Sequence, residues 1–245
     1  MILNPKLPQG EVTKLALVNC QLIAGTTPGL KKSDNEDSLA ISKDVESIRI
    51  FLADGHWGDK AAISHSQMTE HLESFPDSKA AAAQLVKSLE QDLYQSYYFP
   101  GIDENKDFTP ETSLLGIEYR LEEKLLSIYN YGDCRLLIIR DNQIFFQLET
   151  QPTWLGVFSK LGLRQRQSVD DALLYKQIKL QTGDYVVAFS DGIDECIYQQ
   201  PTISNETLVN IVTESKTNLI AFDKIMDKVF KYGAEDNASL VIFKV

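Results

Sequence analysis

The sequence predicts an α+β fold built around antiparallel sheet, on three observations. Short apolar runs end repeatedly in glycine, aspartate or asparagine, the residues that close tight turns between strands. Other segments carry apolar residues at helical spacing. No repeat, low-complexity tract or flexible linker separates the two kinds of element, so residues 1–245 are expected to form one domain with a short N-terminal extension.

The elements follow in chain order. Residues 48–53 are mostly apolar and run into Asp54-Gly55-His56-Trp57-Gly58, which reads as a strand ending in a site turn. A helix over 60–74 is expected next. A longer helix is predicted over 79–97, where Ala80-Ala81-Ala82-Ala83 favours helix and Leu85, Leu89, Leu93 and Tyr97 form an i,i+4 stripe suited to core packing.

Residues 101–110 are polar and loop-like, and 113–119 re-enter a sheet. Segments 125–131, 135–140 and 143–148 then read as a three-strand meander joined by turns at Gly132-Asp133 and Asp141-Asn142. With Pro152, Gly156 and Gly162 interrupting it, the stretch 150–171 is expected to be loop-rich. Strands are predicted at 173–178 and 185–189, helices at 206–213 and 219–232, and a last strand at 238–245.

At 27.6 kDa the chain can bury roughly 70–75% of its extended surface as one domain. Lysine and arginine total 24 against 35 acidic residues, giving a net charge of −11. That balance leaves no dense basic stripe for nucleic acid or an anionic membrane, and it favours metal ions or a basic protein partner. The cysteines, Cys20, Cys134 and Cys196, are dispersed and suit a reducing compartment. Lys6, Glu11 and Lys14 break up the apolar residues of the N-terminus, and no segment approaches a membrane span; the expectation is cytoplasmic.

Asp54, Asp191 and Asp236 all fall where predicted strands meet loops. Each alone is an ordinary turn residue, but rigid strands can bring carboxylates distant in sequence together. Glu36 and Asp37 are adjacent, so in extended backbone their side chains face opposite ways, one toward a site and the other toward supporting contacts. Oxygen donors of this kind suit Mg²⁺ or Mn²⁺, and no Cys/His cluster has zinc spacing. Close carboxylates would repel one another without a cation.

These segments resemble the metal-dependent PPM, or PP2C-type, protein phosphatases. The matching elements are Asn35-Glu36-Asp37-Ser38, Asp54-Gly55-His56, Thr112-Ser113, Tyr131-Gly132-Asp133-Cys134-Arg135, Phe189-Ser190-Asp191-Gly192 and Asp236-Asn237, in the family's order. The resemblance implies a four-layer α-β-β-α sandwich with two central antiparallel sheets and a centre of two Mn²⁺ or Mg²⁺ ions. Asp54 would bridge the ions, the Gly55 carbonyl would stand beside Glu36, and Asp191 and Asp236 would hold the other ion. Asp37 and Asn237 would support the centre. Asp133 could bind a third ion or simply close a hairpin.

The implied reaction is hydrolysis of phosphoserine or phosphothreonine in a protein, with His56 as the acid for the departing alkoxide. Histidine suits that role because it ordinarily titrates close to neutral pH. His65 and His71 lack a paired ligand spacing and are expected at the surface or core edge.

Three departures bear on substrate. Lys32 stands where the family often has a phosphate-holding arginine, and it lacks the planar fork, though Lys31 is nearby. Trp57 replaces a small glycine and could be a platform for the substrate or pack on the flanking helix. After Leu148 the chain runs directly into Gln151-Pro152-Thr153-Trp154-Leu155-Gly156, a shortened or rebuilt flap. Two alternatives follow: a catalytically weak, regulatory phosphoprotein-binding module, and a phosphatase for small phosphate esters.

Overall fold

A computed structural model describes residues 2–3, 7–17, 21–70, 72–103, 107–157, 168–197 and 200–245. The strands are β1 (Ile2–Leu3), β2 (Thr13–Leu17), β3 (Leu22–Thr27), β4 (Ser38–Lys43), β5 (Ser47–His56), β6 (Glu111–Arg120), β7 (Leu125–Tyr131), β8 (Arg135–Arg140), β9 (Gln143–Gln147), β10 (Leu155–Gly156), β11 (Leu174–Lys179), β12 (Tyr185–Phe189) and β13 (Ala238–Lys244). The helices are α1 (Lys60–Glu70), α2 (Lys79–Tyr97), α3 (Val169–Ala172), α4 (Asn205–Glu214) and α5 (Asn218–Tyr232). A 3₁₀ turn covers Asp191–Ile193. The chain divides into two compact units, one of residues 1–2, 38–134 and 150–178, the other of 3–37, 135–149 and 179–245.

The first unit carries a sheet of order β1-β4-β5-β6-β7-β11, with β10 paired to β6. The β4–β5, β5–β6, β6–β7 and β10–β6 pairings are antiparallel. Helix α1 lies on β4, β5 and β6, and α2 packs against α1, α3 and β10. Ser78 caps α2 by accepting a hydrogen bond from the Ala81 N–H. The buried face of α2 is Ala82, Ala83, Val86, Leu89 and Leu93, whose alanines let the helix approach closely. Leu85 and Tyr97 lie at its margin, so the core stripe is rotated from the predicted one. Phe51, Phe75 and Tyr129 form a ring cluster in the same core.

The second unit is a sheet of order β2-β3-β13-β12-β8-β9, backed by α4 and α5. The pairings β2–β3, β3–β13, β13–β12, β12–β8 and β8–β9 are antiparallel. Leu208 and Val212 of α4 and Phe222, Ile225 and Val229 of α5 bury against Ile23, Val187, Leu240 and Ile242. Ser204 and Thr217 cap these helices through bonds accepted from Thr207 and Ile220 N–H.

The α+β class and antiparallel sheets agree with the sequence expectation. Several local expectations need correction. The helix predicted over 60–74 ends at Glu70, before the bends at Glu73 and Ser74. Strand β5 continues through Asp54-Gly55-His56, whose Cα partners are Ser113, Thr112 and Glu111, so the turn begins only at Trp57. The meander is broken as well: β7 pairs with β6 whereas β8 pairs with β9 and β12. A strand has two edges, and the neighbours of β7 and β8 already fill theirs. His65 is buried in the core, not at its margin, and donates to or accepts from the Tyr129 hydroxyl at 3.0 Å. Cys134 and Cys196 are buried, Cys134 within 3.1 Å of the Ser113 hydroxyl; His71 and Cys20 lie outside the described residues. Among the described residues, no helix is long and apolar enough to cross a membrane.

Candidate metal and catalytic site

In the first unit the site residues stand on the end of β5. Asp54 and Gly55 are buried, and the Thr112 hydroxyl on β6 donates to the Asp54 carbonyl at 2.9 Å. Ladder pairing with β6 and this hydroxyl from the same strand together fix the backbone where the two residues sit. The matching Thr112-Ser113 segment therefore supports Asp54 rather than supplying a ligand of its own. Gly132, after β7, has φ +119, and a Cβ there would lie 2.4 Å from Ser113 Cβ and 2.8 Å from the Thr153 carbonyl. Only glycine allows the chain to pass so closely over this support. Asp133 follows, half-buried, in a link between strands of different sheets, so it closes no hairpin.

His56 is half-buried, with Nδ1 shielded from solvent and without a hydrogen bond among the described residues. Its ring meets the Trp154 indole edge-on, with centroids 5.5 Å apart. Trp154 is held by its neighbours: Gln151 N–H donates to the Gly132 carbonyl at 3.0 Å, and Leu155-Gly156 pairs with Thr112 and Glu111 as β10. The segment read as a rebuilt flap thus threads back beside β6 and sets a wall for His56. Nothing local in the sequence ties Trp154 to His56. Residues 158–167 of the same stretch lie outside the described residues.

Trp57 has φ +62 and is half exposed. Its ring packs on exposed Phe108 at 4.4 Å between centroids. The two rings form an aromatic pair beside the turn.

The second unit assembles the other acidic motifs. Asp37 is fully buried, and its Oδ2 accepts from the hydroxyls of Ser190 and Ser239, each at 2.7 Å. Burial pushes its carboxyl up to about 7 despite those two bonds. Glu36 remains partly exposed, in agreement with the opposite facing expected of adjacent residues. Asn237 joins three loop groups: Oδ1 accepts the Glu36 N–H at 2.9 Å, while Nδ2 donates to the carbonyls of Pro28 and Asp34 at 3.1 and 2.9 Å. Its own N–H donates to Asp236 Oδ1 at 2.9 Å.

Asp191 opens the 3₁₀ turn that follows β12. The next residue, Gly192, lies so close to the Asn237 carbonyl that a Cβ would stand 1.9 Å from its oxygen. The glycine thus lets the Asp191 turn seat directly against the Asp236-Asn237 backbone. Ser190 reinforces this seat, since its N–H donates to the Ser239 carbonyl at 3.1 Å and its Oγ accepts from Ser239 N–H at 2.9 Å. Ser190 and Ser239 were not singled out in the sequence as supports of Asp37. The Phe189-Ser190-Asp191-Gly192 motif contains the first; nothing local signals the second.

Lys32 lies on this cluster. Its ammonium is 3.1 Å from Glu36 Oε2 and 3.1 Å from Asp236 Oδ1. Burial works against the charge, but the Asp236 and Glu36 carboxylates outweigh it and hold the lysine above its ordinary range. The lysine expected to meet substrate phosphate therefore neutralises two expected metal ligands. Arg135, from the Tyr131-to-Arg135 motif, pairs instead with Asp194 at 3.1 Å and Glu195 at 2.6 Å, just after the Asp191 turn.

Glu36 and Asp236 fit a hard divalent cation: both offer oxygen and both already face one positive charge. Among the described residues, no three His, Cys, Asp or Glu side chains are gathered as a ready metal cage.

Comparison with known proteins follows the same lines. The family described as Stage II sporulation protein E (SpoIIE) matches residues 46–245. Phosphoserine phosphatase RsbU of Bacillus subtilis (strain 168) is 23% identical over 218 residues, covering 87% of this chain and 56% of that protein. The chain thus spans about half the length of that curated relative. A crystal structure of a bacterial serine phosphatase variant has a TM-score of 0.72 at 18% identity, covering 92% of this chain and 98% of that chain. The catalytic domain of serine threonine protein phosphatase PstP, in complex with 2 manganese ions, has a TM-score of 0.65 at 16% identity, covering 96% and 99%. These structures share the fold.

Proposed function

The chain belongs to the stage II sporulation protein E family, and on that premise we propose that it hydrolyses phosphoserine or phosphothreonine in protein substrates with the help of Mn²⁺ or Mg²⁺. The observation that carries the reading is the convergence of Glu36 and Asp236 on a single positive charge, with Asn237 tying both to the same loops. RsbU is a phosphoserine phosphatase by name, and the PstP domain was solved with manganese; both support the reaction class.

The motifs assign Asp54, the Gly55 carbonyl, Glu36, Asp191 and Asp236 as ligands, with Asp37 and Asn237 as supports and Asp133 for a further ion. Two bound divalent ions would supply Lewis acidity and lower the pKa of water. The protein's part is to hold oxygen donors rigidly and to manage protons. With Nδ1 of His56 shielded, Nε2 is the nitrogen left to deliver a proton to the departing serine or threonine alkoxide. Trp154 stands edge-on beside that ring. Trp57, presented outward with Phe108, offers an aromatic face to residues flanking the phosphate.

Phosphate release from phosphoserine and phosphothreonine peptides, measured with each ion and after chelation, tests the reading. Release that persists after chelation overturns it; release from small aryl esters alone transfers the protein to the small-ester class. Replacing His56 by Gln should slow alkyl esters far more than aryl esters, whose leaving group needs little protonation. Equal, unaltered rates on both would remove the acid role.

A further inference from the structure

We infer that Lys32 is a tethered counterion for the metal ligands, which a divalent cation must displace. The inference rests on the reading of Glu36 and Asp236 as ligands and goes beyond it, because it assigns the lysine to the metal rather than to the substrate. Three observations carry it. The Lys32 ammonium is equidistant from Glu36 Oε2 and Asp236 Oδ1, at 3.1 Å from each. Its side chain is only one-third exposed while both carboxylates are more buried still, at 34%, 16% and 13%. Asn237 also holds the pair's supports in place, its Oδ1 accepting the Glu36 backbone N–H and its own N–H donating to Asp236 Oδ1, whereas the Lys32 ammonium sits on a long flexible stem.

The physical consequence is competition. Two carboxylates within reach of one ammonium repel each other when no cation lies between them, and the lysine relieves that repulsion. Divalent ions drawing on either oxygen meet it already neutralised, so the lysine must swing away before Glu36 and Asp236 can ligate their ions. The stem allows this without moving the backbone. Ion pairs of intermediate exposure are each worth about two- to fivefold in an equilibrium constant. Losing both weakens metal binding by about tenfold relative to a chain without the lysine.

The test is calorimetric titration of chelator-treated protein with Mn²⁺, together with thermal unfolding in chelator. Lys32→Met is expected to bind Mn²⁺ about tenfold more tightly than the wild-type protein and to melt at a lower temperature without metal. Lys31→Met removes the same charge from an exposed neighbour and should leave the affinity within about twofold. An Mn²⁺ affinity for Lys32→Met equal to or weaker than wild type overturns the inference. So does equal tightening by Lys31→Met, which would make the effect one of net charge.

Glu36→Gln and Asp236→Asn separate this from the underlying assignment. If both retain wild-type affinity, the ligand reading itself fails. If both lose binding while Lys32→Met is unchanged, only the counterion role fails. Should Lys32→Met not fold, Lys32→Gln in the same titration gives the same decision.

Discussion

Replacing Gly192 by alanine should damage stability and metal binding together. The new Cβ would stand 1.9 Å from the Asn237 carbonyl oxygen, 2.8 Å from its carbonyl carbon and 3.3 Å from Ala238 Cα. All three neighbours are backbone at the start of β13, so no side chain can rotate away. The 3₁₀ turn or the strand must move by about 1.5 Å to restore ordinary contact. That movement works against the paired bonds between Ser190 and Ser239, at 3.1 and 2.9 Å. Overpacking costs ~1–3 kcal/mol and a weakened buried hydrogen bond ~1 kcal/mol, so ~3 kcal/mol is expected. For a chain of this size the melting temperature should fall by roughly 10 °C.

Calorimetric unfolding in chelator measures the loss, and Mn²⁺ titration of the same protein should show weakened binding because the Asp191 turn is pushed from the Asp236-Asn237 backbone. Gly183→Ala is the comparison. Gly183 has φ +99 but open space around its Cβ position, so alanine there carries only backbone strain of ~1 kcal/mol. A Gly192→Ala protein within ~0.5 kcal/mol of wild type, binding Mn²⁺ normally, would refute the claim that this close approach seats the Asp191 turn.

Two further outcomes follow from buried polar groups. Burial pushes His65 down to about 3, below its ordinary value of 6.5. The unfolded chain therefore takes up a proton first as the pH falls, so this site's stability is intact above about pH 6.5 and is lost toward pH 3, at up to ~1.4 kcal/mol per pH unit. Denaturant unfolding from pH 7 to 4 should show a shallower decline in His65→Gln; parallel curves would contradict the assignment. Ser239→Ala removes one of two hydroxyl donors to buried Asp37, and ~1–3 kcal/mol should be lost near neutral pH. A Ser190→Ala and Ser239→Ala cycle by chemical denaturation should be non-additive, since both hydroxyls serve one oxygen; strict additivity would count against a shared role.

The parts of the fold legible in the sequence are those whose ends carry their own punctuation. Strands β7, β8 and β12 and helix α2 match their predicted spans because glycine, aspartate or a serine cap stops each run. Strands β2, β3 and β4 were not recognised. Their sequences mix threonine, serine, alanine and lysine, and long-range pairing rather than local pattern makes them strands. Gly132-Asp133 illustrates a different limit, because the same residues serve a hairpin or a link between sheets, and only the occupancy of the strand edges decides.

The site shows a similar division. Its acidic residues announce themselves because their motifs are local and sit at strand ends. Their supports do not: Asn237 meets Glu36 across 201 positions, and Ser239 meets Asp37 across 202. The Lys32–Glu36 spacing of four residues is visible in the sequence, but the second partner, Asp236, is not. The Trp154–His56 contact was hidden for the same reason, since β10 is only Leu155–Gly156 and its pairing with β6 is what brings the indole to the histidine.

The most direct measurement of the central claim is phosphate release from a phosphoserine peptide by chelator-treated protein as Mn²⁺ is added back, for wild type and Asp191→Asn side by side. The account predicts no release without metal, a saturable rise with Mn²⁺ in the wild type, and loss of at least about a hundredfold in rate for the variant at the same metal concentration. Equal release by the two proteins, or wild-type release indifferent to the metal, would contradict it.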